Sequence, residues 1–127
     1  MWIGLGTALG AVARYGVDRV SLAAGAEFLA VGTLAVNVSG SLFVGWVAGR
    51  WAAGGAITPH PYKWHFWMTG VCGGYTTFSA FAWQVLEMVR SGQGQMAGLY
   101  AAGSVGFGML AVWLGLSLAM GKRPSTD

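Results

Sequence analysis

Gly70-Val-Cys-Gly-Gly-Tyr-Thr-Thr-Phe-Ser-Ala-Phe81 lies inside a run, Trp64 to Leu86, that contains no Asp, Glu, Lys or Arg. A charge-free run of this kind satisfies the need for about 20 apolar residues in a helix that crosses the hydrocarbon core. Its centre suits a continuous helix badly, because Gly73-Gly74 is a poor helix interior. A break there frees backbone carbonyls. Irregular backbone at membrane depth is tolerated where it is buried or lines a cavity, and its carbonyls can bind a cation. Phe78 and Phe81 follow at i, i+3, so both rings leave one helix face. Two such rings ordinarily pack a core. A phenyl ring also has a positive edge, along which an anion can pass without meeting a fixed charge.

Two more charge-free runs flank this one, Phe28 to Gly49 and Met96 to Gly121. A fourth apolar run, Trp2 to Leu22, is interrupted by Arg14, Asp18 and Arg19 toward one end, where long basic side chains can snorkel. Only 9% of the chain is charged and 55% is hydrophobic, against about 25% charged in a soluble domain. So few charges cannot build a water-facing surface. The expectation is an all-α integral membrane protein. Its 127 residues form a single domain with four transmembrane helices at about 2–22, 29–50, 64–90 and 96–120, the third of them broken. Turn signals lie at Ala53 to Pro61 and at Ser91 to Gln95, and a polar tail runs from Lys122 to Asp127. The first run has no basic segment before it and no small-residue cleavage site after it, so it reads as a span and not as a signal peptide.

Glycine accounts for 22 of the residues. Gly6 and Gly10 are four apart, as are Gly45 and Gly49, and Gly98, Ala102 and Gly106 keep the same interval. Small residues so spaced let helices approach closely in lipid, within one protomer or between two. With four crossings, one side collects Arg50, Lys63, Lys122 and Arg123, the other Arg19 and Arg90 with Arg14 at its edge. That bias orients a chain only weakly. The basic residues form no cluster of the sort that binds nucleic acid. Cys72 is the only cysteine, so no intrachain disulfide forms.

Catalytic constellations are missing. Asp18, Glu27, Glu87 and Asp127, the only carboxylates, sit near helix ends or loops, whereas proton-coupled carriers place an acid within the membrane. His60 and His65 have no third ligand nearby, Ser79 has no His–Asp partners, and the Gly4, Gly6, Gly10 spacing is not that of a dinucleotide loop. No enzyme is expected. What remains is uncharged polarity: Thr33, Asn37, Ser39 and Ser41 on the second helix, Thr76, Thr77, Ser79 and Gln84 on the third, Tyr100 and Ser104 on the fourth. Thr33 and Asn37 share a helix face, as do Tyr100 and Ser104. Each alone is explained by helix–helix hydrogen bonding. Two polar stripes together equally fit a lined pathway, since donors along a pore set its selectivity.

Three motifs carry a family resemblance: Gly4-Leu-Gly-Thr-Ala-Leu-Gly-Ala-Val-Ala-Arg-Tyr15, Thr33-Leu-Ala-Val-Asn-Val-Ser-Gly40, and the Gly70 to Phe81 stretch. With these the chain resembles the Fluc, or CrcB, family of fluoride channels over nearly its whole length, the fourth helix matching loosely. The resemblance implies an antiparallel, dual-topology dimer in the cell inner membrane, with two fluoride pores lined by both protomers. It implies a structural sodium ion at the dimer centre, held by backbone carbonyls at Gly73 and Thr76. The pore residues it implies are Asn37, Thr33, Phe78, Phe81, Tyr100 and Ser104, with Arg14 near a vestibule. Both a homodimer and a heterodimer of paralogues fit the family. Ala80 stands where the family often has Thr, and Gly108 where a second serine is often found on the fourth helix. The implied function is passive fluoride export: neutral HF crosses lipid and ionises in the more alkaline cytoplasm, and the trapped anion leaves through the channel. Two other readings compete, a small multidrug-type exporter, which needs the intramembrane carboxylate that is missing here, and a non-transporting helical scaffold.

Overall fold

The computed structural model describes residues 1–25, 29–53 and 60–121. Every element in them is helical: α1 (Trp2–Ala23), α2 (Leu29–Ala53), α3 (Pro61–Trp64), a π-helical segment (His65–Val71), α4 (Cys72–Tyr75), α5 (Ser79–Arg90) and α6 (Gly94–Met120). Most of the turn expected between Ala53 and Pro61, the polar tail, and Glu27 lie outside the described residues. The expected 64–90 helix starts earlier and is divided. Pro61 opens α3 at its first position, where the missing N–H costs nothing. The 61–75 run then ends at Tyr75, and helix resumes at Ser79. Gly92, at φ 78°, ends α5. The Gln93 amide donates to Met88 O at 2.8 Å and the Gly92 amide to Val89 O at 3.1 Å, a left-handed C-terminal cap that glycine makes without strain.

The helices pack as two pairs, α1 against the 61–75 run and α2 against α6. Glycine makes both seams. A Cβ on Gly6 would strike Phe66 O and Gly70 Cα, and one on Gly10 would strike Val71 O and the Tyr75 amide. Gly74 in turn faces the Thr7 backbone. Gly45 and Gly49 meet Val112, Leu116 and Ala119, and Gly115 faces Leu42 O and the Trp46 amide. The small-residue face of α6 that packs here is Ala111, Gly115 and Ala119, all buried. Gly98 and Gly106 have nothing within 4 Å. They lie 13 residues before Ala111 and Ala119, roughly 140° away round the helix at 3.6 residues per turn, so the Gly98–Ala102–Gly106 stripe faces out of the chain.

The large apolar side chains are on the outside. Met109 is 70% exposed and Trp113 63%, with Leu99, Leu110 and Leu118 alongside. A water-soluble monomer rarely shows such a continuous apolar face; lipid accommodates it. Two helices, at Ala30–Trp51 and Gly94–Met120, are long and apolar enough to cross a membrane. At 1.5 Å per residue the 27 residues of α6 reach about 40 Å, against a hydrocarbon core of about 30 Å. Aromatic rings gather at the end where α1 begins: Trp2 lies 5.4 Å from Tyr62, and Trp51 lies 5.3 Å from Trp64, the amphipathic belt typical of a membrane–water boundary.

The glycine seams give a direct test. Gly10→Ala puts a methyl group into unyielding backbone of the facing run and should cost about 1–3 kcal/mol, as overpacked cores do. Gly4→Ala, with nothing within 4 Å, should cost nothing. Thermal unfolding of the two purified variants in detergent measures the difference.

Candidate functional site

The two threonines of the Thr-Thr-Phe-Ser stretch divide the work of stopping and restarting the helix. Thr76 closes the 61–75 run: its amide and its hydroxyl both donate to Cys72 O, at 2.9 and 2.8 Å. Its backbone then turns extended, at φ −77° and ψ 158°. Thr77 opens α5 by accepting from the Ala80 amide at 3.2 Å through Oγ1, the geometry of a helix N-cap. Because Ala80 contributes its amide to that cap, the absence of a threonine side chain at 80 does not weaken it.

Between the two helices the Thr77 peptide groups have no helical partner, and Asn37 takes them both. The Thr77 amide donates to Asn37 Oδ1 at 2.8 Å, and Asn37 Nδ2 donates to Thr77 O at 2.9 Å. This exchange fixes which way the carboxamide points, since its oxygen must meet the N–H and its nitrogen the carbonyl. One N–H of Asn37 is left over. The carbonyls of Gly73, Gly74, Tyr75 and Thr76 receive no hydrogen bond among the described residues. The break also leaves Gly73 exposed, with nothing within 4 Å of where a Cβ would stand.

The break floors an open groove of about 470 Å³, lined among others by Asn37, Ser41, Gly73, Thr76, Phe78, Phe81 and Ser104. No lining residue is charged. Phe78, 79% exposed, stands 5.7 Å from Phe81, centroid to centroid, and Phe81 stands 5.5 Å from Tyr100. Ser104 Oγ is buried without a hydrogen-bond partner. Six of the residues singled out in the sequence, Asn37, Gly73, Thr76, Phe78, Phe81 and Ser104, therefore meet in one place.

Three others do not line this groove. Thr33, 4% exposed, and Tyr100 belong to a relay one helical turn away. The Tyr100 hydroxyl donates to Gln84 Oε1 at 2.7 Å, and Gln84 Nε2 donates to Thr33 Oγ1 at 2.8 Å. Gln84 ties α2, α5 and α6 together, a role that sequence reasoning did not give it. The available signal was register. Thr33 and Asn37, Gln84 and Phe81, Tyr100 and Ser104 are each one helical turn apart, so three helices carry the same two layers. Arg14 is half-buried on α1, one turn beyond Gly10, and does not line the groove.

An all-helical fold with lipid-facing apolar helices and an uncharged polar groove defines a helical membrane protein. Comparison with known proteins is specific. Residues 1–116 match the family model described as CrcB-like protein, Camphor Resistance (CrcB), and the chain belongs to that family. A fluoride-specific ion channel FluC of Hyphomonas neptunium is 44% identical over 92% of this chain and 91% of its own length. A protein of the same name from Opitutus terrae is 40% identical over 95% of this chain and 92% of its own length. Another, from Paramagnetospirillum magneticum, is 40% identical over 89% of this chain and 88% of its own length.

The clamp at the break predicts a stability loss. Asn37→Leu keeps bulk but leaves the Thr77 amide and carbonyl without partners, at about 1–3 kcal/mol for each stranded group. A lowered melting temperature in detergent, with faster hydrogen exchange at the Thr77 amide, is the expected result.

Proposed function

We propose that this chain is the subunit of a fluoride-specific ion channel that lets fluoride leave the cytoplasm passively. The observation that carries this reading is the uncharged groove at the helix break, whose lining includes donors without hydrogen-bond partners. The spare N–H of Asn37 and the unpaired Ser104 hydroxyl present positive ends to an anion, and the edges of Phe78 and Phe81 do the same. None of these holds an anion as tightly as an arginine would. Weak contacts suit conduction, because the ion must leave as well as enter. Channels of this kind catalyse no reaction. The relatives named as fluoride-specific ion channels cover this chain almost end to end, and that agreement supports the assignment.

The chain is a single domain that crosses the cell membrane four times, α1 and the interrupted 61–90 segment completing the set with α2 and α6. Two chains pair antiparallel as a homodimer. The outward Gly98–Ala102–Gly106 stripe and the exposed Gly73 supply uncovered faces where a second chain can approach closely. Each protomer's groove then becomes a closed pore on pairing. Asn37, Phe78, Phe81 and Ser104 form its narrow part, Thr33 and Tyr100 the next layer, and Arg14 attracts anions toward a vestibule. Sodium is the structural cation, and the donor chemistry fits it. The Gly73 and Thr76 carbonyls, oxygen ligands without hydrogen bonds among the described residues and of the kind hard cations take, would hold it. Shared between two chains, such an ion would tie the protomers to each other. Lipid covers the outer apolar faces.

Fluoride efflux from liposomes that hold the purified protein tests the reading, with chloride as control. Fluoride should leave and chloride should stay; equal fluxes would refute selectivity. Phe78→Ile and Phe81→Ile keep apolar bulk but lose the ring quadrupole, so each should cut fluoride flux strongly while the dimer survives. If the rings only pack, flux will follow stability and remain normal in a folded variant. Replacing sodium with a large organic cation should lower the melting temperature of the dimer. Unchanged melting would remove the ion from the interface.

A further inference from the structure

Five hydroxyl-bearing Ser and Thr residues lie on α2 and α6: Thr33, Ser39, Ser41, Ser104 and Ser117. Three are committed. Thr33 accepts from Gln84, Ser39 donates to Ala35 O at 2.6 Å, and Ser117 donates to Trp113 O at 2.9 Å. Bonding back to the carbonyl four residues earlier, as Ser39 and Ser117 do, is the usual resting state of a helical serine. Ser41 and Ser104 make no hydrogen bond among the described residues. Both line the groove at the helix break. Both also line a second groove of about 480 Å³ that continues along α6 past Val105, Gly108 and Val112 toward Leu116. In that second groove they are the only residues with a hydroxyl; Trp113, which also lines it, carries an indole N–H.

Gly108 explains why Ser41 is open. A Cβ built at 108 would stand 3.6 Å from Ser41 Oγ, with nothing else within 4 Å. The hydroxyl of Ser41 therefore faces, across α2 and α6, the space that a side chain at 108 would fill. With glycine there, the line of donors on α6 stops at Ser104 and the facing helix supplies the next one.

We propose that Ser41 is a selectivity-determining residue of the conduction path, receiving the anion from the Asn37–Ser104 layer and carrying it into the second groove. The proposal rests on the fluoride-channel reading above. An anion at Ser104 has one hydroxyl donor from α6. Moving along the groove between apolar Val105 and Val112, it would meet no further hydroxyl without Ser41. The function of position 41 is thus to hold a hydroxyl in a given space, and the supporting helix is interchangeable.

Fluoride and chloride efflux from liposomes reads this out for wild type, Ser41→Ala, Gly108→Ser and the double variant. Ser41→Ala should lower fluoride efflux about tenfold, the scale of one hydrogen bond to a charged group, with melting temperature and dimer elution unchanged. Adding Gly108→Ser should restore most of the flux, since the ordinary contact at 108 leaves room for the side chain and its hydroxyl enters the same space. Ser41→Thr, which keeps the hydroxyl, should stay near wild type. Normal flux in Ser41→Ala beside a conducting wild type overturns the proposal and leaves the channel assignment standing. A loss that the double variant does not recover also overturns it, because the loss then follows packing. Wild-type liposomes that retain fluoride overturn the channel assignment itself.

Discussion

The exchange of two hydrogen bonds between Asn37 and Thr77 is the contact on which the site depends. A helix can stop at membrane depth only if its stranded peptide groups find partners within protein. Asn37 supplies both a donor and an acceptor at 2.9 and 2.8 Å, and so satisfies the peptide groups that the interruption strands. Everything distinctive about the groove follows. The Phe78 ring projects from the residue just before α5, the Gly73 to Thr76 carbonyls are released from helical bonding, and the carboxamide is locked with its spare N–H free. Serine is too short to bridge both Thr77 groups, and aspartate has no donor for the carbonyl.

The clamp works only because α2 and the 61–75 run are held at a fixed separation. Glycine fixes each element in its own seam, the 61–75 run against α1 at Gly10 and Val71, and α2 against α6 at Gly115 and Leu42, backbone against backbone. At Gly40 the same logic reaches the break itself, since a Cβ there would collide with the Thr76 side chain. Burial of large side chains contributes little: Val36 is the only large apolar side chain that is fully buried among the described residues. The architecture inverts that of a water-soluble core, with small residues inside and large ones facing lipid.

Much of this was legible in the residues. Charge-free runs mark lipid-exposed helices because lipid penalises charge at depth. Gly73-Gly74 followed by Thr76-Thr77 marks an interruption because neither the propensity nor the hydroxyls favour continuous helix. Phe78, Phe81, Asn37 and Ser104 could be placed on common faces by counting turns. Pairwise geometry was not legible. Spacing alone could not tell that Asn37 faces the Thr77 backbone, that Gln84 bridges Thr33 and Tyr100, or that α6 packs through Ala111, Gly115 and Ala119 while Gly98 and Gly106 face outward. Each depends on the rotation of one helix against another, which the i, i+4 pattern leaves free. The π-helical turns at His65–Val71 alter that rotation just before the break, and nothing in their composition announces them.

The two polar layers differ in a way that bears on selectivity. In the Thr33–Gln84–Tyr100 layer each group named is already hydrogen-bonded to another. An ion entering there would compete with bonds the protein has made, so this layer ties three helices together at little benefit to an anion. In the Asn37–Ser104 layer the clamp uses only part of Asn37, and Ser104 uses nothing. An unmet donor in a low-dielectric site carries a desolvation cost that an anion relieves. Fluoride, small and strongly hydrated, gains most from close donors, and a larger halide cannot approach several of them together. Keeping fixed positive charge out of the layer prevents that gain from becoming a trap. On the proposed fluoride-channel reading, selectivity would follow from how many donors are left unpaired and how closely they are held, and both quantities are set at the helix break that Asn37 clamps.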